Sequence, residues 1–160
     1  MVRFDQLKSS FWRDGPGEAL TDDALARAER ELSVRLPAEL AELLRLRDGG
    51  TVADGCDAFP TREPTSWSET HVPFDLLHGV GSGAGISLLD SAYLVGEWGL
   101  PASIVLLSGD GHTWIGLDYR RSATPAVTWF DADRETELPL APTFRDFAEG
   151  LVPAANFPWA

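Results

Sequence analysis

Two helices are written between Leu20 and Gly50 together with their start and stop signals, and they fix the beginning of any fold this chain can adopt. Thr21 is an N-cap residue, and Asp22 and Asp23 follow at the positive end of the helix dipole. Leu20 and Leu25 stand at the positions of a hydrophobic staple. Leu25, Ala28 and Leu32 then recur at helical spacing, with Arg27, Arg30 and Glu31 turned outward, which predicts a helix over 22–32. Pro37 suits the first turn of a second helix, since its missing N–H would be unpaired there anyway. Leu40, Leu43 and Leu44 form its buried stripe, and Asp48-Gly49-Gly50 stops it near 47. A link as short as Ser33–Leu36 predicts that the two helices fold back as a hairpin.

Strand signals dominate the second half. Ile104–Leu107 and Thr113–Asp118 flank Ser108-Gly109-Asp110-Gly111-His112, which has hairpin-turn chemistry. Val127–Phe130 is a further strand, and all three are expected in one sheet. Ser87–Gly96 reads as a helix ending at Glu97-Trp98-Gly99-Leu100-Pro101, and Thr143 opens a last helix over 144–151 with Asp146 as its capping partner. Phe74–Val80 is apolar enough for a strand. Residues 51–73, rich in Thr, Ser, Pro and acids, read as a long loop. The fold class expected is α+β, a mixed but mostly antiparallel sheet flanked by the N-terminal helical hairpin and a C-terminal helix. No repeat or linker divides the chain, so a single domain over 1–160 is expected. Its core spans about 18–151, and a tail over 152–160 is held to the surface by Phe157 and Trp159.

Charge narrows the partner class. The 160 residues carry a formal net charge of −12, of which −4 falls in residues 1–63 and −8 in 64–160. Such a surface repels nucleic acid and anionic membranes and steers basic partners towards it. The single cysteine, Cys56, excludes an internal disulfide. No apolar run approaches a membrane span, and the N-terminus lacks the uncharged hydrophobic stretch of a signal peptide, so a cytoplasmic location is expected.

In their order along the chain, six features form a recognisable series: the first helix with its acidic start, Leu36-Pro37 with the helix Ala38–Arg47, the stop Asp48-Gly49-Gly50, Glu97-Trp98-Gly99-Leu100-Pro101, Asp110-Gly111 through Leu117-Asp118, and Thr143-Phe144-Arg145-Asp146-Phe147. The series, covering roughly 18–151, resembles the SUKH superfamily in its Smi/Knr branch. Asp48 departs from it, since that family more often has Asn before the paired glycines. The 51–73 segment has no counterpart. The resemblance implies a sheet flanked by helices and no enzymatic chemistry. It also implies an immunity protein that neutralises a cognate toxin domain, of nuclease or deaminase type, by direct binding. A regulatory adaptor for a housekeeping protein is the alternative, and a small-molecule-binding domain the third reading.

Candidate sites are few. Gly79-Val80-Gly81-Ser82-Gly83-Ala84 fits a dinucleotide-loop pattern, but the repeated βαβ units that such a site needs are missing, so no cofactor is expected. His71, His78 and His112 do not stand at metal-ligand spacing, and nothing around Cys56 resembles a nucleophile motif; no metal and no catalytic residue is expected. Trp98 and Asp118 occupy positions that the resemblance covers and read as structural: Trp98 closing a corner, Asp118 bonding the N–H groups of the next turn. Trp114 and Trp129 read as core. The remaining candidates are Asp131, Asp133, Glu135 and Glu137, acids at every second position. If extended, they share one face; a turn near Asp133-Arg134 would split them. With Asp110 and His112 from the preceding hairpin turn, they form the expected partner-binding face.

Overall fold

The computed structural model describes residues 3–81 and 85–158. The chain runs through α1 (Phe4–Lys8), α2 (Asp22–Leu32), α3 (Ala38–Leu46), β1 (Gly50–Thr51), β2 (Ala58–Pro60), β3 (His71–Pro73) and β4 (Leu76–Leu77). A 3-10 turn over Leu88–Asp90 leads into α4 (Ser91–Trp98). Then follow β5 (Ile104–Gly109), β6 (Thr113–Asp118), β7 (Ala126–Asp131), β8 (Thr136–Ala141) and α5 (Phe144–Glu149).

Strands β5 to β8 form a four-stranded antiparallel meander in chain order; β1 pairs with β4 and β2 with β3, also antiparallel. The α+β architecture is the one expected, and the three strong strands share one sheet. The Thr21 hydroxyl accepts the N–H of Ala24 at 3.1 Å, capping α2. The link after α2 doubles back, so the first turn of α2 meets the last of α3: Asp22 pairs with Arg45 at 3.2 Å, and Leu20 N–H donates to Leu44 O at 2.9 Å.

Alternation along the strands gives the sheet two buried faces. Val105, Leu107, Ile115, Leu117, Val127 and Trp129 point into the main core, against Phe4, Phe11, Leu40, Leu44, Phe74 and Phe147. Ile104, Leu106, Trp114 and Phe130 point the other way and are covered by Leu94, Val95, Trp98 and Leu100. Both strand tryptophans are therefore buried.

Several boundaries differ from the sequence reading. The 51–73 segment is not one loop: it ends β1 and holds β2 and β3, strands too short to show alternation. Only Leu76–Leu77 of Phe74–Val80 is strand, because its partner β1 offers two residues to pair with, Gly50 and Thr51. The helix expected over 87–96 is a 3-10 turn followed by α4, which extends through Trp98 and closes on Gly99 in the left-handed region, φ 68°. The five-residue α1 is too short for a periodic signal; Phe4 and Leu7 bury it, and Phe4 N–H donates to Glu149 Oε2 at 2.9 Å. Acids hide strand β8 from a reading by apolar alternation, and so does Pro139, which breaks the row of N–H donors along this edge of the sheet. Val152 exchanges both backbone hydrogen bonds with Ala58, at 2.9 and 3.0 Å, and Phe157 stacks on His71 at 4.2 Å, holding the chain end. Trp159 lies outside the described residues.

Candidate partner-binding face

Two hairpin ends stand side by side at one end of the sheet, because β5–β6 and β7–β8 both turn there. Ala132 N–H donates to His112 O at 2.8 Å and fastens the two turns together. In the first, Asp110 Oδ1 accepts the N–H groups of His112 and Thr113, both at 3.0 Å, so this carboxylate shapes its own turn. In the second, Glu135 takes the left-handed backbone that a tight return requires, φ 53°. His112 Nδ1 lies 2.9 Å from Asp133 Oδ2, with both side chains more than half exposed. Asp110, His112, Asp133 and Glu135 thus gather on one exposed rim.

The other two acids leave this rim. The turn over Ala132–Glu135 splits the acidic run, so the four carboxylates do not share a face. Asp131 is buried beneath, 4% exposed, accepting the Ser66 hydroxyl and, at 3.0 Å, the N–H of Arg134. Burial pushes its carboxyl up, but the bonds from Ser66 and the turn's N–H groups outweigh this and leave it below the ordinary value. Glu137 sits across from Phe130 on the neighbouring strand and holds Arg120, which also grips Asp118 at 2.8 Å. Asp118 accepts the backbone N–H of Arg120 at 3.0 Å, and the guanidinium holds its carboxyl below the usual range. Trp98 is half-buried; its ring lies edge-on to His112, centroids 5.5 Å apart, and over Gly111. It therefore braces the hairpin turn and does not close a sealed corner.

Sequence reasoning ranks the acidic loop around Trp67 and Glu69 second to the acidic run and does not foresee the apolar cleft beside it. The Ser66–Asp131 bond draws the 61–70 segment against the sheet end and sets Trp67 beside a cleft of about 320 Å³. Asp75, Leu76, Asp110, Thr113 and Trp129 also line it, and among the described residues no Lys or Arg does. Trp67 is 45% exposed and Leu76 39%. The available signal was a tryptophan alone in a Ser/Thr-rich segment, where a core position was never in prospect.

The glycine string has an occupant within the chain. Asp48 carboxylate oxygens accept the N–H groups of Val80 and Gly81 at 2.7 and 2.8 Å, donors that a phosphate would have needed. A Cβ on Gly79 would stand 2.2 Å from Asp48 O, so glycine is required there by close backbone approach. Ser82, Gly83 and Ala84 lie outside the described residues. Cys56 is buried, and burial pushes its thiol up to about 11. Burial also lowers His78, whose Nδ1 meets Leu106 O at 2.9 Å. Among the described residues no group of three His, Cys, Asp or Glu side chains is placed to hold a metal ion, and no helix is long and apolar enough to cross a membrane.

A family model described as SMI1 / KNR4 family (SUKH-1) matches residues 19–150, from just before the cap of α2 to just past the end of α5. No curated protein matches the chain.

Proposed function

The chain belongs to the SMI1 / KNR4 family (SUKH-1), often immunity-type and generally non-catalytic domains, and from that membership we propose that it neutralises a basic toxin domain by binding it through the acidic end of the sheet. One observation carries the reading: Asp110 belongs both to the exposed rim with Asp133 and Glu135 and to the wall of a cleft that exposes Trp67 and Leu76 and, among the described residues, is lined by no Lys or Arg. Exposed carboxylates raise the association rate with a basic surface, while an aromatic residue at the centre supplies desolvated contact area. A nuclease must carry cations for phosphate, so an acidic rim can occupy the same groove in place of nucleic acid. The His112–Asp133 pair and the buried Asp131 hold the rim in shape before contact, which lowers the entropy lost on binding.

Asp133→Lys together with Glu135→Lys tests this reading against a purified cognate toxin domain, sought among the products of genes beside its own. Association measured by stopped flow should slow about tenfold at low salt, and its dependence on ionic strength should flatten, while stability falls by no more than the roughly 1 kcal/mol of the exposed His112–Asp133 pair. Equal rates and parallel salt curves for the two proteins would refute it.

A further inference from the structure

We propose a second docking surface at the opposite end of the sheet: the groove between the α2–α3 link and the β6–β7 turn takes an extended acidic segment of a partner protein, with aliphatic side chains between its carboxylates. This surface is independent of the toxin-binding reading and stands or falls on its own residues. The groove encloses about 1270 Å³, more than the roughly 300–1,000 Å³ of most small-ligand sites and suited to a stretch of chain. Leu32, Val34, Pro125 and Phe144 supply apolar walls. Arg30, Arg35 and Arg145 supply the charge.

On a chain of net charge −12 a groove with surplus cations runs against the average, and the surplus survives once neighbours are accounted for. Glu29 directs Oε2 to the N–H of Leu36 at 2.7 Å, and Glu39 lies 3.9 Å from Arg145, which Glu149 also approaches at 3.4 Å. Arg30 and Arg35 are exposed and make no ion pair among the described residues; Arg121, likewise exposed, adjoins the groove at Ser122. Tyr119 Oη donates to Arg35 O at 2.7 Å and ties the helical link to the strand turn, so the groove exists before anything enters it. Guanidinium forks recognise carboxylates bidentately, and the walls reward aliphatic side chains between them. A nucleic acid would meet those same walls with sugar and phosphate, whereas a peptide sets aliphatic side chains against Leu32, Val34, Pro125 and Phe144, which is why the peptide is favoured.

The experiment is a titration of the isotope-labelled full chain, followed by NMR, with a short capped peptide alternating Glu and Leu. The same peptide with Gln for Glu, and a single-stranded oligonucleotide of equal charge, serve as the other probes. The Glu peptide should shift the amides of Ser33, Arg35, Tyr119 and Thr124 saturably. The Gln peptide should bind about tenfold more weakly, and Arg30→Glu with Arg35→Glu should weaken the Glu peptide to the same degree. Arg30→Gln with Arg35→Gln is the milder variant should the charge reversal disturb folding. Absence of saturable shifts in the groove, equal binding by the Gln peptide or by either double variant, or tighter binding of the oligonucleotide there would overturn the proposal.

Discussion

Single contacts decide what several ambiguous residues do. Asp48 faces two backbone donors, and a carboxylate is the better acceptor at this place. Both of its oxygens receive a backbone N–H, which an amide side chain could match with only one. Trp98 illustrates the opposite lesson, that a half-buried aromatic is neither pure core nor free surface. Its removal forfeits contacts with the Ile104–Leu106–Trp114–Phe130 cluster on one side and with Gly111 and His112 on the other. Trp98→Ala should therefore cost about 2 kcal/mol, below the roughly 3–5 kcal/mol of a fully buried tryptophan. Urea denaturation measures this directly; a loss above about 4 kcal/mol would mean that the ring closes the core after all.

Elements differ in how far they depend on distant parts of the chain. The Ser66 hydroxyl joins a 61–70 segment of little regular structure to Asp131 at the end of β7. Ser66→Ala should release the Trp67 segment and leave Asp131 with fewer donors in a buried setting. The expected results are a loss of about 1–3 kcal/mol and collapsed amide-exchange protection over 61–70 with the four-stranded sheet still protected. Unchanged protection there would mean that the segment is held by its own turn bonds, such as Thr65 with Ser68. This dependence also explains how much was legible in the sequence. Helices α2, α3 and α5 and strands β5 to β7 carry their caps, stripes and turns within a few residues, so local rules sufficed. The acidic rim was half legible: Asp110, His112, Asp133 and Glu135 converge, while the fates of Asp131 and Glu137 hung on where the β7–β8 turn fell. The placement of Trp67 against the sheet end was not legible, because it comes from a hydroxyl–carboxylate bond spanning sixty-five positions.

At the scale of the whole molecule, Cys56 reports on integrity. It is 3% exposed, and its raised pKa lowers the thiolate fraction at about pH 8 roughly a hundredfold relative to a free thiol. A disulfide reagent should leave the native protein unlabelled over the time in which a urea-unfolded sample reacts fully, and labelling should rise along the global unfolding curve. Rapid labelling without denaturant would reveal local opening near Phe11 and Ala53, whose carbonyls face the sulfur.

Pro139 gives this molecule a further property. A sheet that ends in an open strand is a template on which another copy can lengthen it indefinitely, and a chain made in quantity is exposed to that growth. Strand β8 ends the four-stranded sheet, yet it offers an interrupted row of donors and leaves Thr136 and the charged Glu137 exposed along it. Any copy laid against it would lose a backbone bond at the proline and bury a carboxylate, so fibrillar growth along this direction is closed off and the sheet stays finite.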